Sequence, residues 1–209
     1  MPEAVGGLPG VMDLFPVAAA TVVYTVGHSN RTAEELVALL RQVGTSMLVD
    51  VRAFPSSRAN PQFNAEVLAA SLSGAGMSYR HVPALGGRRH RARGEAASPN
   101  GFWQHPAFRN YADYAMTPAF RAGFEELVGL ARTQTCTIMC AEAVWWRCHR
   151  RIITDYLLVA GIPVAHILVP GKVVRAELTA GAQPGPDGTL RYPEPGDDRQ
   201  THGPAGAAN

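Results

Sequence analysis

Apolar residues fall into two rhythms along the chain. Runs at residues 21–27, 46–51, 135–140 and 163–169 are almost continuously apolar and rich in β-branched side chains, as buried parallel strands are. Residues 78–83 alternate in character and read as another strand. Between these runs the apolar positions recur at three and four: Leu36, Val37, Leu40 and Val43; Phe108, Tyr111, Tyr114, Phe120, Phe124, Leu127 and Val128; Ile152, Ile153, Tyr156, Leu157 and Ala160. That spacing builds one face of a helix. Thr32 with Glu35 forms a capping box and Gly44 ends the first helix. Asn64 caps a second through Leu72 to Gly76, and Pro106 and Pro118 suit the first turns of two more.

The prediction is a single α/β domain over residues 21–192, a mostly parallel sheet flanked by helices with a C-terminal hairpin. Residues 1–20, rich in Gly, Ala and Pro, are expected to form a flexible leader, and residues 193–209 a disordered tail. The hairpin is expected to pair residues 173–178 with 189–192 around the turn 184–188. A β, α, β opening requires a right-handed crossover. It brings the turn His28-Ser29-Asn30-Arg31 and the strand end from Asp50 to Arg52 to one edge of the sheet.

Chemistry concentrates in residues 135–158, read as strand, short loop and helix. Here lie Cys136, Cys140, Glu142, Arg147, Cys148, His149, Arg150 and Arg151. A helix N-terminus carries partial positive charge, so arginines crowd it unfavourably unless an anion joins them. The competing reading sends their guanidinium groups into water or onto Glu142 and Asp155. Cys148, at a helix start among arginines, should have a depressed pKa. His149 would project about 100° away around a helix, so it need not be the partner of Cys148, a place open also to His28 or His81. Cys136 is expected to pack only, whereas Cys140 and Cys148 either react or are small buried side chains. A second basic cluster follows Gly86 and Gly87: Arg88, Arg89, His90, Arg91 and Arg93, either a solvated loop or an anion site.

Composition narrows the classes. With 209 residues, 46% apolar content and a net charge of +2, the chain is an ordinary globular one whose overall charge does not argue for nucleic acid. Residues 16–23 are too short to span a bilayer, and three clustered cysteines do not form a disulfide framework, so a cytoplasmic location is expected. No dinucleotide or P-loop fingerprint is present. Zinc on Cys140, Cys148 and His149, with Glu142 or another histidine, is a weaker alternative because arginines compete with a cation; no other cofactor is identified.

Several segments together resemble one family. Gly27-His-Ser-Asn, Val49-Asp-Val-Arg, Phe54-Pro through Asn60-Pro-Gln-Phe-Asn, Leu85-Gly-Gly-Arg-Arg, Tyr111-Ala-Asp-Tyr, Met139-Cys-Ala-Glu-Ala, Trp146-Arg-Cys-His-Arg and His166-Ile-Leu-Val-Pro-Gly-Lys are similar to the bacterial and archaeal domain of unknown function 488 family, over about residues 22–192. The chain departs at Trp145, where many relatives carry proline, and in its leader. The resemblance implies no established reaction. By analogy alone, Cys140 ending a strand before a loop and helix is similar to the layout of rhodaneses and cysteine phosphatases. Here, however, the loop to Arg147 holds six residues and no glycine.

The expected catalytic set is Cys140, Glu142, Cys148, His149, Asp50 and His28. The expected anion-binding set is Ser29, Asn30, Arg52, Arg58, Arg88, Arg147 and Arg150. Together they predict a pocket for a phosphate, nucleotide or other anionic partner, in a hydrolase or transferase acting on a phosphorylated or nucleic-acid-related substrate. The competing class is a non-catalytic nucleotide or nucleic-acid binding module with structural cysteines. No membrane partner is expected, and the sequence does not predict an oligomeric state.

Overall fold

A computed structural model describes residues 22–91 and 96–196 of the protein. The expected leader at 1–20, Arg93 and most of the expected tail lie outside the described residues. The chain follows the order β1 (Val23–Gly27), α1 (Ala33–Gln42), β2 (Met47–Asp50), α2 (Ala65–Gly74), β3 (Ser78–His81), α3 (Pro106–Ala115), α4 (Pro118–Ala131), β4 (Cys136–Cys140), α5 (Arg150–Val159), β5 (Val164–Val169) and β6 (Lys172–Arg175). A short pair, β7 (Gln183–Pro184) and β8 (Leu190–Arg191), follows. The main sheet has six strands in the order β3-β2-β4-β1-β5-β6, parallel except for β6. The α/β architecture with a mostly parallel sheet is therefore present.

Alternation along the strands assigns each side chain to a layer. Met47, Val49, Cys136, Ile138 and Cys140 pack with α3, α4 and α5, while Leu48 and Met139 pack with α1 and α2. The chain thus moves outward over one face through α1 and α2 and returns over the other. At β4 the direction reverses: its helix α5 lies on the opposite face from the helices that follow its neighbours β1 and β2. Such a reversal opens a crevice at the carboxyl ends of the strands.

Local chemistry explains the boundaries. Thr32 and Glu35 form the capping box, with the Glu35 N–H donating to Thr32 Oγ1 at 3.2 Å and the Thr32 N–H to Glu35 Oε2 at 2.8 Å. Pro106 and Pro118 occupy the first turns of α3 and α4. Asn64 precedes α2, but its side-chain oxygen accepts from the Ser57 N–H at 2.7 Å, securing the preceding loop instead of the helix. The C-terminal hairpin spans the turn at 184–188, but only β7 and β8 form it. Residues 172–175 instead extend the main sheet against β5, because Val169 and Gly171 turn them back at once and leave an edge available.

Candidate functional site

β4 ends between two neighbours, and glycine permits the close approach. The β1 ladder continues past its end, the His28 N–H donating to Cys140 O at 2.9 Å and the Ser29 N–H to Ala141 O at 3.0 Å. A Cβ on Gly27 would lie 1.9 Å from Glu142 O, so only glycine lets the loop after β4 cross here. On the other side the Val51 N–H donates to Met139 O at 2.9 Å.

At the end of β2 sits a closed ion pair. Asp50 is fully buried and accepts the Arg52 Nε at 2.9 Å and Nη2 at 2.6 Å, the Arg52 N–H at 3.0 Å and the Tyr79 hydroxyl at 2.8 Å. Its oxygens face these donors and not the crevice, so Asp50, expected among the catalytic residues, fixes Arg52. Arg52 in turn points Nη1 at His28 Nε2, 3.4 Å away, and lines the crevice. His28 stacks on Phe63 at 4.2 Å, and its Nδ1 donates to Ser29 O at 2.8 Å. Burial, the largest influence, holds its pKa below the ordinary value.

On the other face of β4, a thiol pair meets a buried guanidinium. Cys140 Sγ and Cys148 Sγ are 2.8 Å apart, and both residues are buried. Arg150 is 1% exposed and donates Nε to Cys140 Sγ at 3.1 Å, Nη1 to Thr25 Oγ1 at 3.3 Å and Nη2 to Glu142 O at 2.6 Å. The Glu142 N–H reaches Cys140 Sγ at 3.3 Å and the Arg150 N–H reaches Cys148 Sγ at 3.4 Å. Among the described residues no carboxylate pairs with Arg150. An isolated buried cation is strongly unfavourable, so its counter-charge is the thiol pair, ionised by one proton.

The balance within the pair follows from these partners. Burial pushes the Cys148 thiol up, but the hydrogen bond from Cys140 and the charge and N–H groups of Arg150 outweigh it and bring it down to about 6. Burial, then the bond it donates to Cys148, holds Cys140 well above the ordinary value. Because the sulfurs titrate together, the negative charge belongs to the pair. Cys136, by contrast, is pushed up to about 12 by burial alone.

Of the three histidines open as partners, His149 is the one beside Cys148, with Nδ1 3.4 Å from Sγ. Cys148 is extended (φ −137°, ψ 151°) and precedes the helix, so the helical angle between neighbouring side chains does not apply. His149 Nε2 donates to Val51 O at 2.8 Å, so Nδ1 is the acceptor of the neutral ring, and burial holds its pKa below the ordinary value. A Cβ on Gly87 would lie 2.8 Å from this Nδ1, so Gly87 makes room for the ring. His81 is elsewhere, its Nε2 bonded to Arg52 O at 2.9 Å.

Above these groups opens a cleft of ≈ 490 Å³. His28, Ser29, Asn30 and Arg52 form one wall, Ala141 and Glu142 another, and Cys140 and His149 line it from below. Ser57, Asn60, Gly87 and Arg88 complete it, with Phe54, 66% exposed, at the rim. Ser29 and Arg88 both have left-handed backbones (φ 51° and 59°), a conformation that side-chain-bearing residues adopt sparingly. Glu142 is exposed and its carboxylate is not bound to Arg150. Sequence reasoning did not select Phe54, Ser57 or Asn60 individually; the two prolines and turn formers of residues 53–64 were the available signal.

The remaining expected residues divide. Arg58 and Arg147 are exposed and do not line the cleft. Arg150 is buried, with each of its three side-chain nitrogens bonded within the protein, so it serves the sulfurs and not an incoming ligand. Arg151 turns away to Thr179 Oγ1 at 3.1 Å and the Trp103 ring at 4.9 Å, which relieves the crowding at the helix start. Arg89 stacks on Tyr114 at 3.7 Å and donates to Gly86 O at 3.0 Å, so of the second basic cluster Arg88 faces the cleft.

The donors Cys140, Cys148 and His149 lie within 4.8 Å of one another, but they fit zinc poorly. Tetrahedral Zn–S bonds of about 2.3 Å hold two sulfurs roughly 3.8 Å apart, and the Arg150 guanidinium occupies one sulfur. The donor set instead suits an anionic sulfur.

A doubly wound α/β domain with a thiol–guanidinium centre under a strand-end cleft is the class that fold and site define. The chain belongs to the family described as domain of unknown function DUF488, whose model matches residues 32–157. That match includes Asp50, Arg52, Cys140, Cys148 and Arg150. No curated protein and no solved structure matches the chain. Among the described residues no helix is long and apolar enough to cross a membrane.

Proposed function

We propose that the cleft binds an anion, a phosphate or nucleotide group, and that the protein is an enzyme, a hydrolase or transferase acting on a phosphorylated or nucleic-acid-related substrate. Its nucleophile is Cys140. The observation that carries this reading is that the buried Arg150 guanidinium donates Nε to Cys140 Sγ and, among the described residues, pairs with no carboxylate. Structural cysteines need no such partner, whereas a nucleophile needs its thiolate stabilised.

Each cleft residue has a role in this account. Arg52, Arg88, Ser29 and Asn30 receive the anion's oxygens. Cys148, ionised at rest, takes the proton of Cys140, whose thiolate is then held by the Arg150 Nε and the Glu142 N–H while it attacks phosphorus. The Glu142 carboxyl protonates the departing oxygen. A hydrolase would then transfer the phosphoryl group to water, a transferase to a second acceptor. Reduced thiols of this kind suit the cytoplasm.

The low exposure of the sulfurs, 2% for Cys140 and 3% for Cys148, favours a second reading: a nucleotide or nucleic-acid binding module whose cysteines are structural. Iodoacetamide labelling at neutral pH, with and without inorganic phosphate or a nucleotide mixture, separates the two. Fast labelling of Cys140 or Cys148 that these anions suppress supports the enzyme. Slow labelling of both, with the nucleotides still bound, supports the module.

A further inference from the structure

The thiol pair contains more than one nucleophile requires. Cys140 and Cys148 are eight residues apart in sequence but 2.8 Å apart at sulfur. They occupy different depths: Cys140 lines the cleft, and Cys148 lies behind it against His149. Arg150 serves both, its Nε donating to Cys140 Sγ and its backbone N–H to Cys148 Sγ. Negative charge is therefore supported on either sulfur in turn, which a thiol that attacks and a thiol that resolves both need.

We infer that Cys140 and Cys148 form a reversible dithiol–disulfide centre that exchanges with a small anionic disulfide bound in the cleft. This rests on the anion cleft proposed above and names a substrate class for it. Cys140 is the attacking sulfur because a molecule in the cleft meets it first. Arg52 and Arg88 select the acidic groups of the incoming disulfide.

The step balances. Cys148 takes the proton of Cys140, and the Cys140 thiolate attacks one sulfur of RS–SR; a mixed disulfide forms and RS⁻ leaves with the electron pair. That leaving group takes the proton from Cys148 and becomes RSH. The Cys148 thiolate then attacks Cys140 Sγ, the mixed disulfide breaks, and a second RS⁻ departs. Two protein sulfurs are oxidised to a disulfide, and the substrate disulfide is reduced to one thiol and one thiolate.

The buried guanidinium also sets the direction. Oxidation removes the pair's negative charge and leaves Arg150 without its counter-charge. The reduced form is thus favoured, so this disulfide is reduced more readily than a structural one and accumulates when the bound disulfide is in excess.

The test uses the reduced full chain, exposed separately to oxidised glutathione, an acidic disulfide, and to cystamine, a basic one, with mass spectrometry of the cysteine peptides. The expected result is a Cys140–Cys148 disulfide, formed about tenfold faster with oxidised glutathione at low salt. Cys148→Ser should stop at glutathione attached to Cys140. Wild-type protein that alkylates fast yet forms no Cys140–Cys148 disulfide, or retains a mixed disulfide, overturns the redox centre and leaves the activated thiol standing. Equal rates with the two disulfides overturn the anionic substrate class. Slow alkylation unprotected by phosphate is the separate failure of the function proposed above.

Discussion

The Nε of Arg150 lies 3.1 Å from Cys140 Sγ, at the point where β4 ends and the crevice opens. Guanidinium groups at this depth ordinarily meet carboxylates, as Arg52 meets Asp50. Here the chain offers sulfur. The same arginine bonds Thr25 Oγ1 in β1, and Thr25 bonds His166 Nδ1 in β5 at 2.8 Å, so through Thr25 the loop after β4 is tied to two strands.

Removing that charge should silence the thiols. In Arg150→Met the pair loses its counter-charge, and its first ionisation should rise from about 6 toward the ordinary thiol range. At pH 7 the thiolate fraction then falls about thirtyfold. Iodoacetamide rates against pH check this, and denaturant melts should show a loss of about 1–3 kcal/mol from the stranded acceptors.

The Asp50–Arg52 pair should matter for folding first. Asp50→Asn leaves a buried guanidinium short of charge and should destabilise by about 3–5 kcal/mol. Urea unfolding reads it. A variant as stable as the wild type would show that Asp50 does not anchor Arg52.

Gly27 tests the crossing of the loop. In Gly27→Ala the new methyl group meets Glu142 O at 1.9 Å and pushes the 141–143 segment away. Overpacking of this kind is expected to lower stability by about 1–3 kcal/mol. It should also slow Cys140 labelling, since Glu142 supplies two of the contacts that frame the sulfurs.

Stability should fall in mild acid. His166 is buried under Trp145, 4.2 Å away and nearly parallel, and burial, with the Arg150 charge, lowers its pKa from 6.5 to about 4. Between those values the unfolded chain holds more protons than the folded one, so stability drops as pH falls from about 6.5 to about 4. The contribution over that window is about 3 kcal/mol, readable as a lower urea midpoint. His149, also lowered by burial, acts in the same direction.

Arg88 separates binding from folding. It is exposed and lines the cleft, so Arg88→Ala should leave the melt nearly unchanged while weakening the protection that phosphate gives Cys140 about tenfold.

Much of the fold was legible because its signals are local. The capping box at Thr32 and Glu35, the prolines opening α3 and α4, and the apolar runs of β1, β2 and β4 each act within a few residues. The hairpin's first arm was misplaced because β-branched residues 173–174 suit either a hairpin or a sheet edge; only the tertiary partner β5 decides. The convergence of His28, Arg52, Cys140 and His149 could be read from strand order. The roles of Asp50 and Arg150 could not, because each depends on a partner that pattern does not reveal: Tyr79 and Arg52 around one, two sulfurs around the other. The pairing of His149 with Cys148 was not legible either, because the helical geometry used to separate them begins one residue too late to govern Cys148.

The most direct measurement is the ultraviolet absorbance of thiolate against pH, in wild type, Cys140→Ser and Cys148→Ser. The account predicts one thiolate in the wild type titrating at about 6, and its loss or upward shift in both variants, since each removes half of the shared site. If the wild type shows no thiolate until the ordinary range near pH 8.5, Arg150 is not neutralised by sulfur, and the central claim fails.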